Sequence, residues 1–261
     1  MSEFLYETHL HTREASACAS CLGADYIKIY RDMGYSGIIV TDHFFNGNTC
    51  ISEDLSWEER VEQFCSGYEH AKEEGDQQGL QVFFGWESCY DCDEYLIYGL
   101  DKDWLLRHES ILSWSQREQF EYIRADGGLV VQVHPFRERG YIDKIRLHPQ
   151  HADAIEVCNA GNAEGEDVLA YRFCERNHIP MTSGSDIHHS PNKEKVFLAG
   201  MAFPHKLLTI QDYINGVKSR TGRLLGVEEL VFSVAEKRPS FPIELYDYEG
   251  EYREISYRDL F

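Results

Sequence analysis

Residues 4–12 read FLYETHLHT, an apolar run of strand length that closes on Glu7, His9 and His11. Side chains alternate along a strand with period two, so both imidazoles leave on the same side. Five further apolar runs end in the same way. GIIVTDHF (37–44) ends in Asp42 and His43, and VFFGWES (82–88) in Glu87. LVVQVHPF (129–136) ends in His134, AIEVCN (154–159) in Glu156 and Asn159, and MTSGSDIHH (181–189) in Asp186 and His188. Asp186 and His188 repeat the i, i+2 spacing of His9 and His11. One such strand end carries little weight. Six in chain order imply strands whose C-terminal ends converge on one centre. A mixture of imidazole and carboxylate suits hard and borderline divalent metals, which points to metal-assisted hydrolysis.

The rest of the chain fits strands of that kind. Apolar runs at 4–9, 37–42, 80–87, 95–100, 128–134, 154–159, 179–185 and 196–203 mostly lack polar alternation. That favours buried parallel strands covered by helices. Helices are expected between them. In 23–33, Tyr26, Ile29, Tyr30 and Met33 share a face and Gly34 is a stop. Ser56 with Glu59 opens 56–74, and Ser115 with Glu118 opens 115–126, both as capping boxes. The stretches 163–177 and 209–221, the latter between Thr209 and Gly222, complete the set. This alternation predicts βα units in one α/β barrel over 1–225. The remaining 226–261 is expected to pack on the same domain, with FPIELYDYEGEYREISY (241–257) as a hairpin turning at Glu249-Gly250.

Composition narrows the partners. The 261 residues carry a formal net charge of −20, which disfavours non-specific binding to nucleic acid. A nucleotide or a short oligonucleotide stays open as a substrate, because bound metals invert the local field. No run reaches the about 18 apolar residues of a membrane span, and no basic-then-apolar leader is visible. The expectation is a cytoplasmic protein with reduced thiols. Cys18-Ala-Ser-Cys21 and Cys89-Tyr-Asp-Cys92 form two C-x-x-C pairs. They are read as unligated, with a shared structural zinc as the competing reading. Phosphate-loop, dinucleotide-loop and G-x-S-x-G motifs are absent.

HLHT, TDH, GWE, VHPF and GSDIH, in this order and at these strand ends, resemble the motifs of the PHP superfamily (polymerase and histidinol phosphatase domain) over about residues 5–225. The resemblance implies a distorted (β/α)7 TIM-like barrel holding two or three divalent ions, usually zinc, iron or manganese. It implies hydrolysis of a small phosphate ester, such as histidinol phosphate or a nucleotide. Carried over, His9, His11, Glu87 and Asp186 would hold a first metal. Glu87 would bridge to a second metal with His134, and His43 and His188 would hold a third. Glu87, Asp186 and His188 are the implied catalytic set. A non-catalytic metal-binding module and a metal-dependent C–N hydrolase remain the alternatives.

This chain departs from the family pattern in three places. A third-site His is missing near Ala17, for which Glu14 is the candidate substitute. No His follows the bridging Glu in DEYLIYGL, so Asp91 or Asp93 is the candidate ligand there. Glu7 replaces the usual opening aspartate and is expected to support the ligands, as is Asp42. Two metals are therefore expected, and a third depends on Glu14 or another side chain. Arg137, with Arg139 as second choice, is read as a phosphate grip, and Asn159 as a residue orienting substrate or water. Glu156 is set aside as structural, since no partner motif requires it. His148 and His205 are read as surface residues.

Overall fold

Ser56 and Ser115 each accept a hydrogen bond from the backbone N–H three residues on, while Glu59 and Glu118 reach back to the serine N–H. Both capping boxes start helices where the sequence places them. The computed structural model describes residues 3–163, 165–190, 199–227 and 238–260. In chain order the elements are β1 (Phe4–Glu7), α1 (Gly23–Asp32), β2 (Gly37–Val40), α2 (Trp57–Gln78), β3 (Gln81–Tyr90) and β4 (Asp93–Tyr98). Then come α3 (Lys102–Arg107), α4 (Gln116–Ala125), β5 (Leu129–Gln132), β6 (Ile145–Leu147), β7 (Ala154–Asn159) and α5 (Glu166–Asn177). β8 (Met181–Gly184), β9 (Met201–Phe203), α6 (Ile210–Lys218), β10 (Arg223–Leu224), β11 (Ile243–Tyr246) and β12 (Tyr252–Ile255) follow.

Nine strands form one barrel-like sheet in the order β10-β9-β1-β2-β3-β4-β5-β7-β8. The pairs β1–β2, β2–β3, β5–β7 and β7–β8 are parallel. Every residue of β2, β5 and β7 is buried, as strands covered on both faces must be. The sheet nearly closes on itself at the end where the histidines lie. There His11 N–H donates to the Ile187 carbonyl (3.0 Å) and Asp186 N–H to the His9 carbonyl (2.9 Å). The architecture is therefore a TIM-like α/β barrel.

Two runs read as parallel strands prove antiparallel. β4 returns directly along β3 through Asp91 and Cys92, both at positive φ (49° and 68°), a turn too short for a parallel crossover. β9 runs antiparallel to β1, and residues 196–198 of its predicted run lie outside the described residues. The C-terminal strands form the hairpin β11–β12, and β11 adds in parallel to β6 in a second, three-stranded sheet. Beneath β3, Trp86 is fully buried against Phe44, Phe84 and Trp104. Among the described residues no helix is long and apolar enough to cross a membrane.

Candidate metal centre

The parallel strands deliver their ligand-type residues to one end of the barrel, the end that carries function in barrels of this kind. His9 and His11 follow β1, His43 follows β2, Glu87 lies on β3, His134 follows β5, and Asp186 and His188 follow β8. All are buried except His188, whose side chain is 21% exposed at the rim. His134 and Asp186 take positive φ (32° and 55°), a backbone that non-glycine residues rarely adopt and that clusters at functional sites.

The innermost atoms are spaced as ligands. His9 Nε2 lies 3.2 Å from His11 Nε2, 3.3 Å from Glu87 Oε1 and 3.4 Å from Asp186 Oδ1. His11 Nε2 lies 3.4 Å from Glu87 Oε2 and 3.2 Å from Asp186 Oδ1. Tetrahedral donors at about 2.1 Å from a zinc ion stand about 3.4 Å from one another. Glu87 also reaches outward: His43 Nδ1 is 2.8 Å from its Oε2 and His134 Nε2 is 3.6 Å from its Oε1. Both Glu87 oxygens, His43 Nδ1 and His134 Nε2 are buried without a hydrogen-bond partner. Orphaned atoms of both signs facing one point are what a bound cation would satisfy.

The remaining ring atoms are held from behind. His9 Nδ1 is 2.9 Å from Glu156 Oε1, which fixes the tautomer that turns the Nε2 lone pair inward. His11 Nδ1 faces Ser16 Oγ at 3.3 Å, and Ser16 donates to Asp42 Oδ1 at 2.6 Å. Asp42 also accepts from the N–H and hydroxyl of Thr12. Glu7 accepts from the N–H groups of Thr8, His9 and Ser185 and from the Tyr30 hydroxyl, so it clamps β1 to β8. Asp186 Oδ2 accepts from Arg137 at 2.8 Å, leaving Oδ1 toward the histidines.

Electrostatics agree with this geometry. Burial opposes charge throughout, yet His43 and His9 hold Glu87 well below the usual carboxylate range. Asp186 is held down in the same way by His9, His11 and Arg137. Burial and the charge of His43 push His11 down to about 3, so its imidazole is neutral. Burial is outweighed at His9 by Asp186, Glu156 and Glu87, and at His43 by Glu87, so both rings favour the protonated form. Those protons occupy charge positions that a divalent cation could take over.

Several expectations need correction. Glu14 turns away from the centre: its carboxylate accepts from Gly23 N–H and faces His70 Nδ1 at 3.2 Å. Asp93 pairs instead with His148 (3.2 Å) and Arg146 (3.7 Å), and Asp91 sits in the exposed β3–β4 turn. The carboxylate that reaches the centre from β4 is Glu94, 3.3 Å from His134 Nε2 and 3.9 Å from His43 Nδ1. The sequence signal was strand parity, since Glu94 and not Asp93 shares a face with Glu87 across the β3–β4 pair.

Glu156 belongs to the site after all. Its Oε1 reaches the His9 ring, and a register irregularity between Glu156 and Cys158 breaks simple strand alternation at this point. Arg137 and Asn159 are engaged inside the protein. Arg137 donates to Asn162, Asn159 and Asp186, and Asn159 donates to Glu156 at 2.7 Å. Arg139 is held by Glu166. His148 is buried, not a surface residue. None of the eight cysteines is in a disulfide, and among the described residues no group suited to a metal contains a C-x-x-C pair.

No protein-family model matches the sequence, and no curated protein matches it. Solved structures do. A two-domain protein from Bacteroides vulgatus containing a predicted PHP-like metal-dependent phosphoesterase superposes with a TM-score of 0.66 at 14% identity. The match covers 85% of this chain and 64% of that one, so the chain spans under two-thirds of that relative. The fold is PHP-like. A protein from Bifidobacterium adolescentis, described as a metal-dependent phosphoesterase, gives 0.51 at 16% identity over 82% of this chain and 96% of that one. An amidohydrolase from Chromobacterium violaceum gives 0.47 at 12% identity over 84% and 97%. Among the described residues of this PHP-like barrel, three groups of side chains have donor atoms close enough to share an ion. They are His9 with His11 and Asp186, His43 with Glu87 and Glu94, and His11 with His43 and His188.

Proposed function

We propose that the protein is a metal-dependent phosphoesterase that hydrolyses a small phosphorylated metabolite or nucleotide. The observation that carries this reading is Glu87. Its carboxylate is buried and has no hydrogen-bond partner, and it stands between the His9–His11–Asp186 group and the His43–Glu94–His134 group. A single carboxylate between two ligand groups suits a site for at least two ions. Divalent ions there would lower the pKa of a coordinated water and neutralise phosphoryl oxygens.

The residues divide the remaining work. Glu87 and Asp186 supply ionised ligands, and Glu156 and Ser16 keep His9 and His11 in the tautomers that offer Nε2. Arg137 and Asn159 fix Asp186 from behind. A phosphate ester would enter past His188, the most exposed imidazole of the group. The net charge of −20 disfavours long polyanions and so favours a small ester.

The test is release of p-nitrophenol from p-nitrophenyl phosphate by protein loaded with Mn2+ or Zn2+. The Asp186→Ala and His134→Ala variants should lose most of the activity. Equal rates in all three proteins would overturn the assignment.

A further inference from the structure

Arg137, Glu138 and Arg139 are consecutive in the loop after His134, and their side chains fan out to three parts of the chain. Arg137 reaches Asp186, Asn159 and Asn162. Arg139 reaches Glu166, at the start of α5, and the Gly161 carbonyl. Glu138 reaches the C-terminal segment. Its carboxylate accepts from the Phe241 N–H (3.2 Å), the Ser240 hydroxyl (3.3 Å) and the Ser240 N–H. One ionisable side chain thus binds two successive backbone N–H groups of the chain that leads into β11. Hydrogen bonds to a charged acceptor are stronger than neutral ones.

Further bonds make this contact a tie between two elements. Glu138 N–H donates to Glu166 Oε1 (3.0 Å), the oxygen that Arg139 also engages (3.1 Å). Ile145 N–H donates to the Pro242 carbonyl (2.8 Å), and β6 pairs with β11 from there on. Phe241 packs against the buried cluster that contains Phe136, Ile145 and Phe173. The loop is therefore tied to the C-terminal segment at both Glu138 and Ile145. Arg137 lies one residue before the first tie, and its own N–H donates to the His134 carbonyl (2.9 Å). A long guanidinium side chain holds Asp186 in one geometry only where its backbone is fixed.

We propose that Glu138 is a positioning residue. By binding the Ser240 and Phe241 N–H groups it latches the C-terminal hairpin to the loop after β5, and so fixes Arg137 and, through it, the Asp186 carboxylate. This rests on the metal-dependent reading above. The small C-terminal sheet is then a working part of the centre and not only a cover for the barrel. What the latch sets is the orientation of Asp186, whose Oδ2 Arg137 holds while Oδ1 faces the histidines.

The experiment strips the full chain of metal and titrates it with Mn2+ against a chromophoric chelator. Glu138→Ala should lower Mn2+ affinity by roughly three- to tenfold, less than the roughly 10–100-fold of a residue that touches a ligand directly. Glu138→Gln keeps an oxygen for the two N–H groups and should retain most of the affinity. Glu138 is half-buried and outside the packed core, so both variants should fold. Arg137→Ala should fall further, and adding Glu138→Ala to it should cost nothing more, because the latch acts through Arg137. A general loss of stability would instead give additive losses. Unchanged affinity in Glu138→Ala, equal losses in the Ala and Gln variants, or additivity with Arg137→Ala would overturn the latch and leave the metal centre standing. No Mn2+ bound by the wild type would overturn both.

Discussion

Glu94 Oε2 lies 3.3 Å from His134 Nε2, on the strand that runs antiparallel beside Glu87. Burial and the neighbouring Glu87 charge push Glu94 up to about 7, as expected of a second carboxylate crowded beside the first. A cation between the two would relieve that repulsion. Glu94→Gln should therefore lower metal content and reduce activity by at least roughly tenfold. Asp93→Asn, on the opposite face against His148, should leave metal content unchanged. Metal analysis of the two variants side by side checks the assignment, and the reverse pattern would refute it.

Glu156 acts through His9. Its Oε1 holds the His9 Nδ1 proton, and Asn159 fixes its other oxygen. Glu156→Gln preserves the shape but removes the charge opposite the imidazole. Metal affinity should fall by roughly 10–100-fold, the usual effect of losing a carboxylate behind a ligating histidine. Competition with a chromophoric chelator measures it. An unchanged affinity would mean that His9 needs no such support.

The candidate ligands that could be read from the sequence are those at the ends of parallel strands. There an apolar run and a terminal His, Asp or Glu are both local signals, as for His9, His43, Glu87 and Asp186. What escaped depended on pairing. Glu94 required knowing that β4 turns back on β3 through Asp91 and Cys92, because parity counts only once the register is set. Glu156 required the irregularity in β7, and the inward use of Arg137 required its three distant partners. The helix starts at Ser56 and Ser115 were plain for the opposite reason, since a capping box lies within four residues.

Helix α2 packs closely against the loop that follows β1 and carries His11. A Cβ on Gly67 of α2 would sit 2.1 Å from Thr12 Oγ1, and that hydroxyl donates to Asp42. Ala in place of Gly favours a helix by about 1 kcal/mol. Forcing an extra methyl into a filled site costs about 1–3 kcal/mol, and here the blocked atom is a hydrogen-bonded hydroxyl. Gly67→Ala should be destabilising on balance, with a lower Tm and weaker metal binding through Thr12 and its neighbour His11. A raised Tm would show that the loop can move aside.

Asp167 gives a pH signature away from the ligand cluster. It lies in the first turn of α5, where burial pushes it up to about 7 although Asn162 and the Asn159 N–H donate to it. In the unfolded chain the same group ionises near its ordinary 3.8. Between those values the folded protein keeps a proton that the unfolded chain has lost. Its contribution to stability is therefore fully present below about 3.8 and is lost as pH rises through about 7. Asp167→Asn cannot ionise and keeps an oxygen to accept from Asn159. The stability of the variant minus that of the wild type should grow from pH 5 to pH 8, with other carboxylates cancelling in the difference. Urea unfolding of both proteins at the two pH values measures it. A constant difference would mean that Asp167 is already ionised at pH 5 in the folded protein.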